Sequence, residues 1–240
     1  MTTPEAPEIS LVIPVYDEAE SLPILAAEIA EALAGRDHEV IFVDDGSRDG
    51  SLEVLRRLRR EDRRRRVLHL ERNSGQSAAF DAGFRAARAP IVVTLDADLQ
   101  NDPADIPRLV AALAGCDMVS GVRVERRDRW SRRVASRIAN RVRNAVVHDS
   151  VTDVGCSLKA YRAAVVRRLK MFDGLHRFLP ALVEMQGGRV EEIPVRHRPR
   201  LHGASKYTIG RRLRRSLVDM AAVRWMQSRW IDEGRVEEID

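Results

Sequence analysis

Apolar residues in the first half of this chain fall into short solid runs separated by amphipathic stretches. Ile9–Val15 reads as a buried strand, Val40–Val43 and Val67–Leu70 as a second and a third strand, and Ile91–Leu95 as a buried fourth. Between the first two runs, Leu25, Ile29 and Leu33 recur at helical spacing and stop before Gly35. Leu52, Leu55 and Leu58 mark a second helix, and Gly75 to Ala87 reads as a third. Asp102 is placed as an N-cap with Pro103 in the first turn, opening a helix that ends at Gly115, and Met118–Ser120 predicts a fifth, shorter strand. Strands alternating with helices of this length define βαβ units. The expected fold is therefore α/β, a mostly parallel sheet with helices on both faces.

The second half has a different texture. Residues 123 to 147 set Trp130, Val134, Ile138, Val142 and Val146 four apart among many arginines. Residues 207 to 230 put Leu213, Leu217, Ala221 and Trp225 on one stripe, with Arg211, Arg212, Arg214 and Arg215 near its start. Both patterns predict basic amphipathic helices, which either pack on the sheet or lie in an anionic membrane interface. The change of texture divides the chain into residues 1–122, 123–230 and an acidic tail, 231–240.

Composition narrows the options. With 240 residues, 44% of them hydrophobic and 32% charged, the chain is long enough for one large domain with a substantial core. All but Lys159, Lys170 and Lys206 of the 41 basic residues are arginine, and the formal net charge of +5 admits an anionic partner. Nucleic acid is disfavoured: the acids stand where such a partner would want bases, and no aromatic residues interleave the arginines. Cys116 and Cys156 show no metal-type spacing, and the opening MTTPEAPEIS carries no signal-peptide pattern, so a reducing cytosol is expected. No run approaches the roughly 18 apolar residues of a spanning helix, so the expectation is a soluble or peripheral protein.

In open α/β sheets, ligands bind beyond the carboxyl ends of the strands. Four consecutive strand ends carry polar clusters here: Tyr16-Asp17-Glu18, Asp44-Asp45, Arg72-Asn73 and Asp96-Ala97-Asp98. One shared pocket follows. Neither G-x-G-x-x-G after the first strand nor G-x-x-x-x-G-K-[ST] occurs, which argues against a nicotinamide dehydrogenase or a P-loop NTPase. Alternate residues of an extended segment project to one side, so Asp96, Asp98 and Gln100 can face one hard cation, Mg2+ or Mn2+, completed by water and substrate phosphates. His69, His148, His176, His197 and His202 show no ligand spacing and are taken as structural.

The segments LVIPVYDEAESL, IFVDDGSRDGS, ERNSGQSAAFDAGF, TLDADLQNDP, DVGCSLKAYR and RLHGASKY occur in the order found in family-two glycosyltransferases. More narrowly, the chain resembles the polyprenyl-phosphate sugar transferases of the dolichyl-phosphate mannose synthase type, over roughly residues 8 to 215. The resemblance implies the GT-A fold of nucleotide-diphospho-sugar transferases, with residues 1–122 holding the nucleotide sugar and 123–230 the acceptor. It implies an inverting, metal-dependent transfer of a sugar from a GDP- or UDP-linked donor to a polyprenyl phosphate. Pro14, Tyr16, Glu18, Val43, Asp44, Asp45, Asp96, Ala97 and Asp98 would bind the nucleotide. Asp96, Asp98 and Gln100 would hold the metal. Arg123, Arg137, Arg200 and Lys206 would meet the acceptor phosphate, and Asp96, Asp98, Arg123 and Arg137 would carry catalysis. Asp153 is the nearest candidate base, with a turn or supporting role as the other reading. Membrane-borne acceptor and absent spanning segment together imply peripheral attachment at the cytoplasmic face, with an oligomer or an integral membrane partner left open. The alternative acceptor is a saccharide, glycolipid or protein.

Overall fold

The computed structural model describes residues 6–124, 143, 144, 146, 147, 149–199 and 209–231, the first seven of the last segment as backbone only. The elements in chain order are β1 (Ile9–Val15), α1 (Ser21–Ala32), β2 (His38–Asp44), α2 (Ser51–Glu61), β3 (Arg65–His69), α3 (Gln76–Ala86) and β4 (Ile91–Thr94). There follow α4 (Ile106–Ala112), β5 (Met118–Arg123), β6 (Lys159–Arg162), α5 (Ala163–Arg168), α6 (Leu179–Met185), β7 (Val190–Val195) and α7 (Ile209–Ser228). The strands form one sheet in the order β3-β2-β1-β4-β6-β5-β7. All pairs are parallel except those of β6, which runs antiparallel between β4 and β5.

Alternation along β1 explains why its run is apolar throughout. Ile9, Leu11, Ile13 and Val15 enter the core shared with Leu25 and Ile29 of α1, Leu55 of α2 and Leu109 of α4. Val12 enters the opposite core, with Phe80 and Phe84 of α3, Leu182 of α6 and Val223 of α7. Helices therefore cover both faces, as the solid runs require. The α3–β1 contact is close enough to demand glycine: a Cβ on Gly83 would lie 2.2 Å from Cγ1 of Val12.

Three departures from the sequence expectation have clear causes. The helix placed from Asp102 to Gly115 is broken into a 3-10 turn (Pro103–Asp105), α4 and a second 3-10 turn (Leu113–Gly115), although Asp102 does cap the first turn by accepting from the Ala104 amide. Strands β6 and β7 were not anticipated: β6 is only four residues long and carries a buried lysine, and β7 is a sheet-edge strand whose Glu191, Glu192 and Pro194 mask the pattern. On α7 the stripe Leu217, Ala221 and Trp225 faces outward, and the helix instead buries Met220 and Val223. Residues 125–142 of the first basic stretch lie outside the described residues.

Candidate active site

The β1–α1 loop is laced to the β2–α2 loop by side chains that cap backbone donors. Ser47 Oγ accepts from Asp17 N at 3.0 Å, Ser51 Oγ from Glu18 N at 2.9 Å and Asp49 from Ala19 N at 3.0 Å, while Asp17 accepts from Arg48 N at 2.7 Å. Asp17 holds a left-handed backbone (φ 53°), which turns Tyr16 and Glu18 over the sheet end. The run DDGSRDGS is polar because it satisfies these amides. Gly46 is required where the loops cross, since a Cβ there would stand 2.7 Å from backbone atoms of Arg72 and Asn73.

A cavity of about 360 Å³ opens beyond the carboxyl ends of the central strands, lined by Pro14, Val15, Tyr16, Glu18, Asp45, Asn73, Gly75, Gln76, Asp96, Ala97 and Asp98. Of the residues expected to hold a nucleotide, Pro14, Tyr16, Glu18, Asp45, Asp96, Ala97 and Asp98 are brought together here. Val43 and Asp44 are not part of the lining. Val43 is packed in the core beside α3. Asp44 is fully buried, with His69 Nδ1 at 2.8 Å and the Ser47 amide at 3.3 Å. Asp45 accepts from the amides of Ser74 (2.6 Å) and Gly75 (2.9 Å), tying the β2 end to the start of α3. Burial pushes its carboxyl up, those two amides offset part of the effect, and the charge of Asp44 adds to it.

Asp96 and Asp98 share the far wall. Burial, then the neighbouring charge of Asp98, pushes the Asp96 carboxyl up to about 6, against opposing contributions from the Ser157 hydroxyl, Lys159 and Arg123. Two carboxylates that repel one another in a cavity lined by polar loops meet the electrostatic condition a divalent cation relieves. Among the described residues no cluster of three or more acidic, histidine or cysteine side chains is arranged to hold a metal unaided. The donor set therefore fits a hard cation that completes its shell with a ligand's phosphates and water. Gln100 does not join the lining: Leu99 adopts a left-handed backbone (φ 61°), so the alternation that aligned Gln100 with the aspartates is broken there. Gln100 instead gives its amide to Asp98 (3.2 Å) and accepts from Arg198 N at 2.8 Å.

Arg123 stands at the end of β5, outside the lining, where Nε and Nη2 grip Asp153 at 2.8 and 2.7 Å. Asp153 is thus engaged by a guanidinium fork, which favours its supporting role over that of a base. Arg137, Arg200 and Lys206 lie outside the described residues. Asn73, placed at a strand end from the sequence, lines the cavity, whereas sequence reasoning passed over Gln76, whose Nε2 donates to Asp96 Oδ1 at 2.8 Å. Ser157 was also missed; its hydroxyl accepts from the Asp96 amide at 3.1 Å.

The sheet and the cavity at its strand ends define a GT-A fold. The chain superposes on a mannosyltransferase of Pyrobaculum calidifontis solved with GDP-Man and Mn2+, with a TM-score of 0.66 at 22% identity over 91% of this chain and 64% of that one. It also superposes on glucosyl-3-phosphoglycerate synthase of Mycobacterium tuberculosis solved with Mn2+ and UDP, with a TM-score of 0.67 at 18% identity over 95% and 82%. At these identities the likeness carries the fold. The chain belongs to glycosyl transferase family 2, whose family model matches residues 10–170.

Two relatives are much nearer in sequence. The undecaprenyl-phosphate 4-deoxy-4-formamido-L-arabinose transferase of Edwardsiella ictaluri is 43% identical over 203 residues, 83% of this chain and 62% of the relative. The dodecaprenyl-phosphate galacturonate synthase of Rhizobium johnstonii is 39% identical over 224 residues, 90% of this chain and 66% of the relative. The chain thus spans just under two thirds of the length of these curated relatives.

Proposed function

We propose that this chain transfers a sugar from a nucleoside-diphosphate sugar to a polyprenyl phosphate. The observation carrying the proposal is what the two relatives have in common. Both are named for a polyprenyl-phosphate acceptor, and they differ in the sugar. The acceptor class is therefore the transferable part and the sugar is not.

In this reading the nucleoside lies against Pro14, Tyr16 and Asp45, and the diphosphate points toward the start of α3 and the β4 end. Asp96 and Asp98 would hold the cation, which when bound supplies Lewis-acid neutralisation of the leaving diphosphate. A lipid monophosphate with a second pKa near 6 is largely dianionic at neutral pH and needs orientation more than a base. That requirement suits the engaged state of Asp153. Arg123 supplies positive charge within reach of Asp96, and Arg137, Arg200 and Lys206 are assigned to the acceptor phosphate. Direct attack by that phosphate inverts the anomeric centre. Peripheral attachment to a membrane surface is supported by Leu217, Val218 and Trp225, more than half exposed on α7. Among the described residues no helix is long and apolar enough to cross a membrane.

The test is incubation with undecaprenyl phosphate, Mn2+ and a panel of UDP- and GDP-sugars, followed by mass analysis of the organic phase. One lipid-phosphate-linked sugar is expected, absent in Asp98→Ala. Transfer only to a saccharide, glycolipid or protein acceptor would replace the proposal with the other acceptor class.

A further inference from the structure

The loop before β6 reaches across the sheet to the main chain of Asp96 through one hydroxyl. Ser157 Oγ accepts from Asn101 Nδ2 at 2.7 Å and from the Asp96 amide at 3.1 Å. A hydroxyl has two acceptor lone pairs and one proton. With both lone pairs engaged, the hydroxyl ties the Asp96 main chain, at the residue that carries the carboxylate, to Asn101. The geometry is fixed from behind. Thr94 Oγ1 donates to the Ser157 carbonyl at 2.8 Å, and Asn101 is 4% exposed, bridged through its backbone to His197. The Asp96 carboxylate itself accepts from the Gln76 side-chain amide at 2.8 Å.

We infer that Ser157, oriented by Asn101, is a positioning residue for Asp96: by holding the Asp96 amide it sets the direction in which that carboxylate presents its oxygens to a divalent cation. This inference rests on the donor-site reading given above. Residues that orient a metal-binding carboxylate influence affinity by roughly ten- to hundredfold. A hydroxyl that merely filled space would leave that affinity unchanged.

The test is Mn2+ affinity, read from the electron paramagnetic resonance signal of free Mn2+ with the full chain and saturating UDP or GDP. Ser157→Ala is expected to weaken Mn2+ binding by roughly ten- to hundredfold, with nucleotide binding in EDTA unchanged. Ser157→Thr, which keeps the hydroxyl, is expected to restore affinity to within about threefold. Asn101→Leu removes the donor that orients the hydroxyl and is expected to weaken Mn2+ in the same direction, so the inference stays testable should Ser157→Ala fail to fold. Wild-type Mn2+ affinity in Ser157→Ala, or equal losses in the Ala and Thr variants, would overturn the inference alone. A wild-type chain that binds no Mn2+ with either nucleotide would overturn the donor-site reading, and the inference with it.

Discussion

Asp96→Asn should stabilise the metal-free protein while abolishing its response to nucleotide and metal. The Asp96 carboxyl is pushed from 3.8 to about 6 by burial and by Asp98. That displacement corresponds to at most about 3 kcal/mol against the ionised form at neutral pH. Asp96 is half-buried, so water reduces the penalty, and a gain of about 1–3 kcal/mol is expected for the variant, or roughly 2–10 °C in melting temperature. The asparagine oxygen can keep the Gln76 hydrogen bond, and its amide can donate toward Asp98. The sign follows from the folded value lying above the unfolded one: the penalty is full above about pH 6 and fades as pH falls toward 3.8, where the carboxyl is protonated in both states. Urea denaturation in EDTA at pH 7.5 and pH 5 reads this directly. Adding Mn2+ with the preferred nucleotide should then raise wild-type stability by mass action and leave the variant unmoved. A variant less stable than wild type in EDTA at pH 7.5, or an advantage undiminished at pH 5, would refute the reasoning.

Other consequences can be checked with the same purified chain. Gly83→Ala should lower the urea midpoint by an equivalent of about 1–2 kcal/mol, because overpacking against Val12 exceeds the helix-propensity gain; a higher midpoint would contradict the close α3–β1 contact. Glu39 sits at the opposite end of the sheet from the cavity, where burial acts to raise its carboxyl but hydrogen bonds from Ser10, Arg66 and Arg88 outweigh it and hold it below 4.5. Its stabilising charge is therefore present above about pH 4.5 and lost as pH falls through the lower folded value. Glu39→Gln should cost about 1–3 kcal/mol at pH 7, shrinking in acid, as followed by denaturation across pH. Trp225→Ser, at a residue 64% exposed, should weaken flotation with anionic vesicles by roughly threefold or more without altering nucleotide binding; unchanged flotation would move the membrane contact elsewhere.

How much of this was legible depended on whether a residue's role is local. The first half was readable because β1, β2 and β4 are buried on both faces and announce themselves as solid apolar runs. Pro14, Tyr16, Glu18, Asp45, Asp96 and Asp98 were readable because strand ends in such a sheet converge. Gln100 falls outside the cavity lining because alternation holds only while the backbone stays extended, and one left-handed residue, Leu99, ends it. Asp44 falls outside the lining for a related reason. Adjacent acids at a strand end point different ways, and its partner His69 is supplied by the next strand. Ser157 was invisible since a hydroxyl in a cysteine- and glycine-bearing loop has no pattern; its role exists only once β6 lies beside β4.

That placement of β6 ties the two halves of the sequence into one site. A chain that continued its parallel βαβ pattern would send the segment after β5 outward along the sheet edge. Instead β6 is inserted antiparallel between β4 and β5, in register from Thr94 opposite Lys159 to Ile91 opposite Arg162. Antiparallel direction means that the start of β6 lies beside the end of β4, so the loop preceding β6 is delivered to Asp96 rather than to the far end of the sheet. The same loop brings Asp153 to Arg123 at the end of β5, and Glu192 of β7 accepts from its Thr152 and Asp153 amides at 2.8 and 3.2 Å. One reversed strand thus fastens the residues assigned to acceptor handling to the carboxylate assigned to the donor's cation. A substitution that loosened the β6 register should accordingly impair both, and it should do so without any change in the β1, β2 and β3 loops that face the nucleoside.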